Sequence, residues 1–515
     1  MKRLWMLAAA AIALGSAAPA LAAPTPDPAA AAAPVPDLDR ASDAVTHHTI
    51  VLNGQTLAYT ARAGTIALRD GKEQPTLSMF YVAYTLDGAD ATHRPVTFFY
   101  NGGPGSSTMW LHMGSFGPVR VQAGNGTLTG PPPYTYGPNP NSLLDKTDEV
   151  FIDMPGSGFG RILPAGSPKM FYGLDADVRA FAQFIQRYIT VNGRWNSPKF
   201  LYGESYGTTR SAALSKYLEQ TDAIDLNGVV LQSTILNFGI DYTDLSPYGG
   251  DDWGYVLYLP SQAATAWYHN AIPNKPADLV AFLRDARAFA IGEYSDALAK
   301  GPALSKSEYN DVVAKLHRYL GVSEQYIRNA NLRVQYANQM TEMLRPQNIL
   351  VGRLDSRYQT FNLDGVGQNP MWDTTDAAID APYTTAVNAY LRNDLAYHTP
   401  LLYRSEVYDQ IYANGGSWDF KHNGLSIPDV SPDLAQAMTY NPSLKIFSAN
   451  GYYDFATPFF ETEYTLAHLG INPALQNNIT YGYYQSGHMI YLNPDALHQL
   501  HDDLSRWYDA TLGGR

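Results

Sequence analysis

The sequence predicts an α/β protein: a mainly parallel central sheet covered on both faces by helices, with a large, mostly helical insertion. Three observations carry that expectation. Six short apolar runs, "PVTFFY" (95–100), "EVFIDM" (149–154), "PKFLYG" (198–203), "NGVVLQS" (227–233), "SLKIFSA" (443–449) and "NITYGYY" (478–484), look like strands buried on both faces. Helical patterns lie between several of them, as where Leu174, Val178, Phe181, Ile185, Tyr188 and Ile189 recur at three- and four-residue steps. Residues 206–219, 459–469 and 494–509 are similar, and such alternation implies a parallel sheet. The third observation is the interval 241–440, too long to be a loop between consecutive strands and rich in helical pattern ("KPADLVAFLRDARAFAIGEYSDALAK"). It is expected to form a cap inserted between two parts of the core, 46–240 and 441–515. Ahead of the parallel runs, residues 48–85 alternate β-rich stretches with Gly and Asp turns, which predicts antiparallel opening strands.

The ends and the composition narrow the class. Lys2 and Arg3, the apolar residues 4–14 and the small-x-small Ala20-Leu21-Ala22 predict a cleaved export signal over residues 1–22. That apolar run is short for a membrane span of about 30 Å. A Pro/Ala-rich tether without periodicity follows over 23–45. The protein is expected to be exported, periplasmic or secreted. It has no cysteine, so no disulfide braces the fold. A net charge of −13 without a Lys/Arg cluster argues against a nucleic-acid partner. No later segment predicts a membrane span. The adjacent His47 and His48 lack the partner set a metal needs, and neither metal nor cofactor is expected.

The chemistry centres on "YGESYG" (202–207), where a strand gives way to a helix and Ser205 stands between Gly203 and Gly207. A sharp turn there lifts the hydroxyl clear of the sheet edge, although G-x-S-x-G alone is weak evidence. Serine is a poor nucleophile near neutral pH and needs a base, which in turn needs an orienting acid. In a parallel sheet the acid and then the histidine should follow the ends of later strands. Of the histidines beyond the last strands, His498 and His501 sit within a helical pattern, whereas His488 lies on the loop of "YYQSGHMIYLNP". Asp454, in "LKIFSANGYYDFATP", lies in the loop after the preceding strand, before a helix opened by Pro458. Donors for an oxyanion are expected from the N–H of Tyr206 and from the glycine-rich "NGGPGSSTMW" after residue 100, whose spacing does not suit a phosphate loop.

Taken in order, "NGGPGSS", "VFIDMPGSGFG", "YGESYG", "NGYYDFATP" and "SGHM" resemble the serine carboxypeptidase family, α/β-hydrolases that remove C-terminal residues from peptides. The resemblance spans the core segments from about 95 to 240 and from 443 to 495; the cap matches in placement and helical character alone. It implies that Asn101 and Glu204 bind the substrate's free carboxylate, with help from the Gly102 amide. It also implies that Gly103 joins Tyr206 in the oxyanion hole and that Met489 lines the same pocket. A protonated Glu204 could donate to that carboxylate where an ionised one would repel it, so peptidase activity is expected to be greatest at acid pH. The sequence departs from the family pattern in lacking its cysteines, and in placing Ser115 where many members carry an acid. If that acid is the usual partner of the glutamate, Glu204 lacks it here and the acidic optimum should be less pronounced. Two other readings use the same residues, an acyltransferase or an esterase; a non-catalytic binding module is a third. Peptide or protein C-termini are the expected partners. Side-chain preference and oligomeric state have no sequence signal.

Overall fold

A computed structural model describes residues 43–241 and 251–513. The expected signal segment, nearly all of the tether, and residues 242–250 at the start of the insertion lie outside the described residues.

Nine strands form the main path of one sheet: β1 (Ala44–Leu52), β2 (Gln55–Arg69), β3 (Pro75–Leu86), β4 (Val96–Tyr100), β5 (Asp148–Ile152), β6 (Lys199–Ser205), β7 (Gly228–Thr234), β8 (Lys445–Gly451) and β9 (Ile479–Tyr484). Their spatial order is β1-β2-β3-β5-β4-β6-β7-β8-β9, and the short strand Arg161–Ile162 pairs with β3 off that path. The pairs from β1 to β5 along this order are antiparallel. Every pair from β5 to β9 is parallel. The six apolar runs thus become the six parallel strands, with boundaries within two residues of those expected.

The reason these runs read as continuous rather than alternating is visible in their packing. Phe98, Tyr100, Leu201, Val229 and Leu231 enter a hydrophobic cluster on one face. Their neighbours Phe99, Phe200, Tyr202 and Val230 enter a second cluster on the other. Side chains alternate across the sheet, and because both faces are covered, both alternates are apolar.

Of the helices α1 (Leu174–Val191), α2 (Tyr206–Gln220), α3 (Trp253–Tyr268), α4 (Leu279–Phe289), α5 (Lys306–Leu320), α6 (Thr374–Ala389), α7 (Ser431–Tyr440), α8 (Phe459–Ala467) and α9 (Pro494–Thr511), it is α1, α2, α6, α7 and α9 that supply most of that cover. Within the insertion, α3, α4 and α5 pack in a third cluster with Tyr452, Tyr453, Phe455, Phe459 and Phe460. The later part of the same interval behaves differently. Tyr383, Ala386 and Val387 of α6 join Phe99 and Tyr202 in the sheet's second cluster. Leu434, Ala437 and Met438 of α7 join Leu231 and Ile446 in the first. The interval also contains an antiparallel pair, Ile349–Val351 with Gln359–Phe361. Among the described residues no helix is long and apolar enough to cross a membrane.

Candidate active site

The carboxyl ends of four parallel strands, β4, β6, β8 and β9, carry the expected site residues, where open α/β sheets gather their ligands. Ser205 closes β6, and its backbone has φ 61° and ψ −131°. A non-glycine residue held there costs on the order of 1–3 kcal/mol and persists only where its surroundings impose it. The surroundings are tight: a Cβ at Gly203 would lie 2.2 Å from the Gly207 carbonyl oxygen, so strand end and helix start can approach only without a side chain. Ser205 itself is half-buried, within reach of solvent.

Asp454 and His488 come together from loops after β8 and β9. Asp454 is fully buried and its Oδ2 lies 2.8 Å from His488 Nδ1. The other carboxylate oxygen accepts the N–H groups of Ala456 (2.7 Å) and Thr457 (3.0 Å), and the Thr457 hydroxyl donates to Oδ2 at 2.8 Å. Burial pulls the His488 imidazole down, but the charge and hydrogen bond of Asp454, with Glu204 beyond, outweigh it and hold its pKa above the ordinary value. That arrangement fixes the tautomer with Nε2 left to take a proton. Ser205 Oγ is hydrogen-bonded to no described residue, His488 included; catalytic bonds in unliganded sites commonly tighten only with substrate.

Asn101 follows β4 directly, and its Nδ2 donates to Glu204 Oε1 at 2.6 Å. Its Oδ1 accepts the Leu111 N–H at 3.1 Å, which fixes the orientation of the amide. Glu204 is buried, and burial pushes its pKa up to about 7 against the opposing His488 charge and the hydrogen bonds of Tyr491 and Asn101. Gly102 presses on the elbow: a Cβ there would meet Tyr206 N at 2.4 Å. Gly103, at φ 111°, carries the chain on in a conformation that favours glycine. The first of these contacts brings the backbone of Gly102 beside that of Tyr206. Met489 is buried in the sheet's second cluster. The Ser115 hydroxyl donates to the Leu111 carbonyl at 2.8 Å and not to Glu204.

Several residues that motif reading passed over hold the site. Gln232 Nε2 donates to Glu204 Oε2 at 2.7 Å, and the Tyr491 hydroxyl to Oε1 at 3.3 Å. Ser233 Oγ donates to the His488 carbonyl at 2.6 Å. Buried Arg210 on α2 donates from Nη1 to the Asn101 carbonyl (2.8 Å) and from Nε to buried Asp177 on α1 (2.7 Å). From the insertion, the Leu354 carbonyl accepts the His488 N–H (2.7 Å), the Arg353 carbonyl accepts Phe455 N–H (3.0 Å), and Asp355 accepts Gly487 N–H (3.1 Å). Arg357 grips Asp355 with Nε and Nη2 and reaches Ser486 Oγ at 3.1 Å. Gln232 and Ser233 carried a usable signal, being polar at the carboxyl end of an apolar strand; Asp177 and Asp355 carried none.

A parallel sheet with an elbow serine after its central strand, and an acid and a histidine after later ones, defines an α/β-hydrolase. Comparison with protein families matches residues 55–490 to Peptidase_S10, serine carboxypeptidase, and the chain belongs to that family. A comparison with curated proteins gives no match. Among solved structures, a soluble variant of monoglyceride lipase from Saccharomyces cerevisiae is similar, at 10% identity and TM-score 0.36, over 87% of this chain and 94% of its own. An esterase from Thermogutta terrifontis (10%, TM-score 0.31, 90% and 99%) is similar too. So is juvenile hormone epoxide hydrolase from the silkworm Bombyx mori (12%, TM-score 0.35, 88% and 79%).

Proposed function

We propose that this serine hydrolase is a carboxypeptidase, cleaving the last peptide bond of its substrates through Ser205, His488 and Asp454. The observation that carries the reading is the 2.6 Å pair of Asn101 Nδ2 and Glu204 Oε1 beside the elbow serine, a ready partner for a peptide's terminal carboxylate. In this reading Ser205 Oγ attacks the scissile carbonyl as His488 Nε2 takes its proton. The N–H groups of Gly103 and Tyr206 hold the oxyanion. His488 returns the proton to the departing amino acid, water hydrolyses the acyl-enzyme, and Asp454 stabilises the imidazolium throughout. Glu204, protonated below about pH 7, donates to the substrate carboxylate while Asn101 supplies an N–H. Met489 and the Gly102 amide complete that end.

The mature protein is proposed to act after export, with residues 1–22 removed; N-terminal sequencing of the secreted or periplasmic form should begin after Ala22. The activity itself is tested by digesting a mixed peptide library and reading the products by mass spectrometry. Single residues should leave free C-termini and none should leave amidated peptides. Ser205→Ala should lose about 10⁶-fold in kcat and all labelling by a fluorophosphonate. Labelling that persists in that variant overturns the assignment of the nucleophile.

A further inference from the structure

Among the described residues no acid is hydrogen-bonded to Glu204, yet it is not alone. Both its oxygens are occupied: Oε1 by Asn101 and Tyr491, Oε2 by Gln232. The two amides cannot turn round. Asn101 Oδ1 is engaged by the Leu111 N–H, and Gln232 Oε1 accepts the buried Tyr202 hydroxyl at 2.6 Å. Gln232 also reaches the His488 carbonyl at 3.4 Å, so one side chain spans the proposed carboxylate end and the histidine loop.

We propose that Gln232, oriented by Tyr202, and Tyr491 are positioning residues that take the place of an acidic partner, aiming Glu204 at the substrate carboxylate and setting the pH at which it releases its proton. The inference rests on the reading that Glu204 meets that carboxylate. Its physical content is a contest between two effects. Burial favours the neutral acid, whereas three neutral donors favour the ionised form. An acid in place of either residue would push the same way as burial, because paired carboxyls share a proton. With neutral donors instead, the group titrates close to neutrality.

His488 opposes protonation of Glu204 and Asp454 favours it. The hydroxyls of Tyr202 and Tyr491, and Tyr383 on α6, face it with pKa values raised by burial, so they stay neutral throughout. Arg353 acts on His488.

The test uses the full-length enzyme and two variants, Tyr491→Phe and Gln232→Met, each removing one donor with little change of volume. The titration of Glu204 is followed in the free enzyme by the infrared carbonyl band that disappears in Glu204→Gln, and in turnover by kcat/KM for a peptide and for an ester without a free carboxylate. Each variant should move the infrared midpoint upward by about one pH unit, and the alkaline limb of the peptide profile with it, leaving the ester profile in place. A uniform loss of kcat/KM at every pH, with the midpoint unmoved in both variants, would show purely structural roles and overturn the proposal. Should wild-type peptide and ester profiles superimpose while the infrared midpoint still moves, the positioning roles stand and the assignment of Glu204 to the substrate carboxylate falls.

Discussion

At Glu204 a buried carboxyl with a pKa of about 7, against an ordinary 4.5, joins activity to stability. Between those values the folded protein holds a proton that the unfolded chain has released. The folded state therefore binds more protons, and stability falls as pH rises through that window. Glu204→Gln should flatten this slope, removing a change on the order of 3 kcal/mol between pH 4.5 and 7; urea titrations across that range measure it. Turnover should change in parallel with the ionisation: wild-type peptide hydrolysis falls as pH rises through about 7, whereas ester hydrolysis does not. Neutral donors, Gln232 and Tyr491, stand where a second carboxyl would be, and they hold the Glu204 pKa, and with it the fall of peptide hydrolysis, below where a carboxyl pair would place it.

Between elements, the site depends on closeness that only a few residues permit. Gly203→Ala would set a methyl group 2.2 Å from the Gly207 carbonyl, so β6 and α2 must part. The expected cost is about 1–3 kcal/mol in stability, with a larger loss in kcat than in KM because the nucleophile itself moves. Arg210 and Asp177 tie α2, α1 and the Asn101 carbonyl together with no exposure to solvent. Removing one partner strands the other in the interior, and Asp177→Ala should destabilise by about 3–5 kcal/mol in denaturant melts. Segment 353–357 acts likewise on the two loops that bear Asp454 and His488. Asp355→Ala frees the Gly487 N–H and the Arg357 guanidinium and should lower kcat for ester and peptide alike.

Across the described residues, distant parts of the chain are joined by ion pairs without any disulfide, since there is no cysteine. His422 is one such joint: Nδ1 lies 2.6 Å from Asp175 on α1 and Nε2 2.7 Å from Asp433 on α7. Hydrogen bonding to Asp433, with Asp175 also facing it, raises the imidazole above its ordinary 6.5 despite burial. A raised histidine contributes its full stability below pH 6.5 and loses it as pH climbs through the folded-state value. Thermal melts should therefore show His422→Gln clearly less stable than wild type at pH 5.5, with the gap narrowing toward pH 9. The acid-side stability suits a site whose proposed carboxylate end works with Glu204 protonated.

The parallel strands, the elbow and the candidate acid and base were legible in the sequence because each leaves a local mark. A strand buried on both faces must be apolar at successive positions, and a tight turn between strand and helix needs glycine where backbones touch. What only the tertiary structure decided was how remote segments meet. Gln232 at the end of β7, Asn101 just after β4 and Tyr491 on a short helical turn beyond β9 lie far apart in sequence, yet converge on Glu204. Asp355 belongs to the insertion and braces a loop over a hundred residues later. The helices α6 and α7 return from that insertion to cover the sheet, beyond the reach of a pattern that marks only which face is apolar. Such contacts follow from chain topology and side-chain reach, and a buried amide or ion pair between distant segments leaves no period or motif by which to find it.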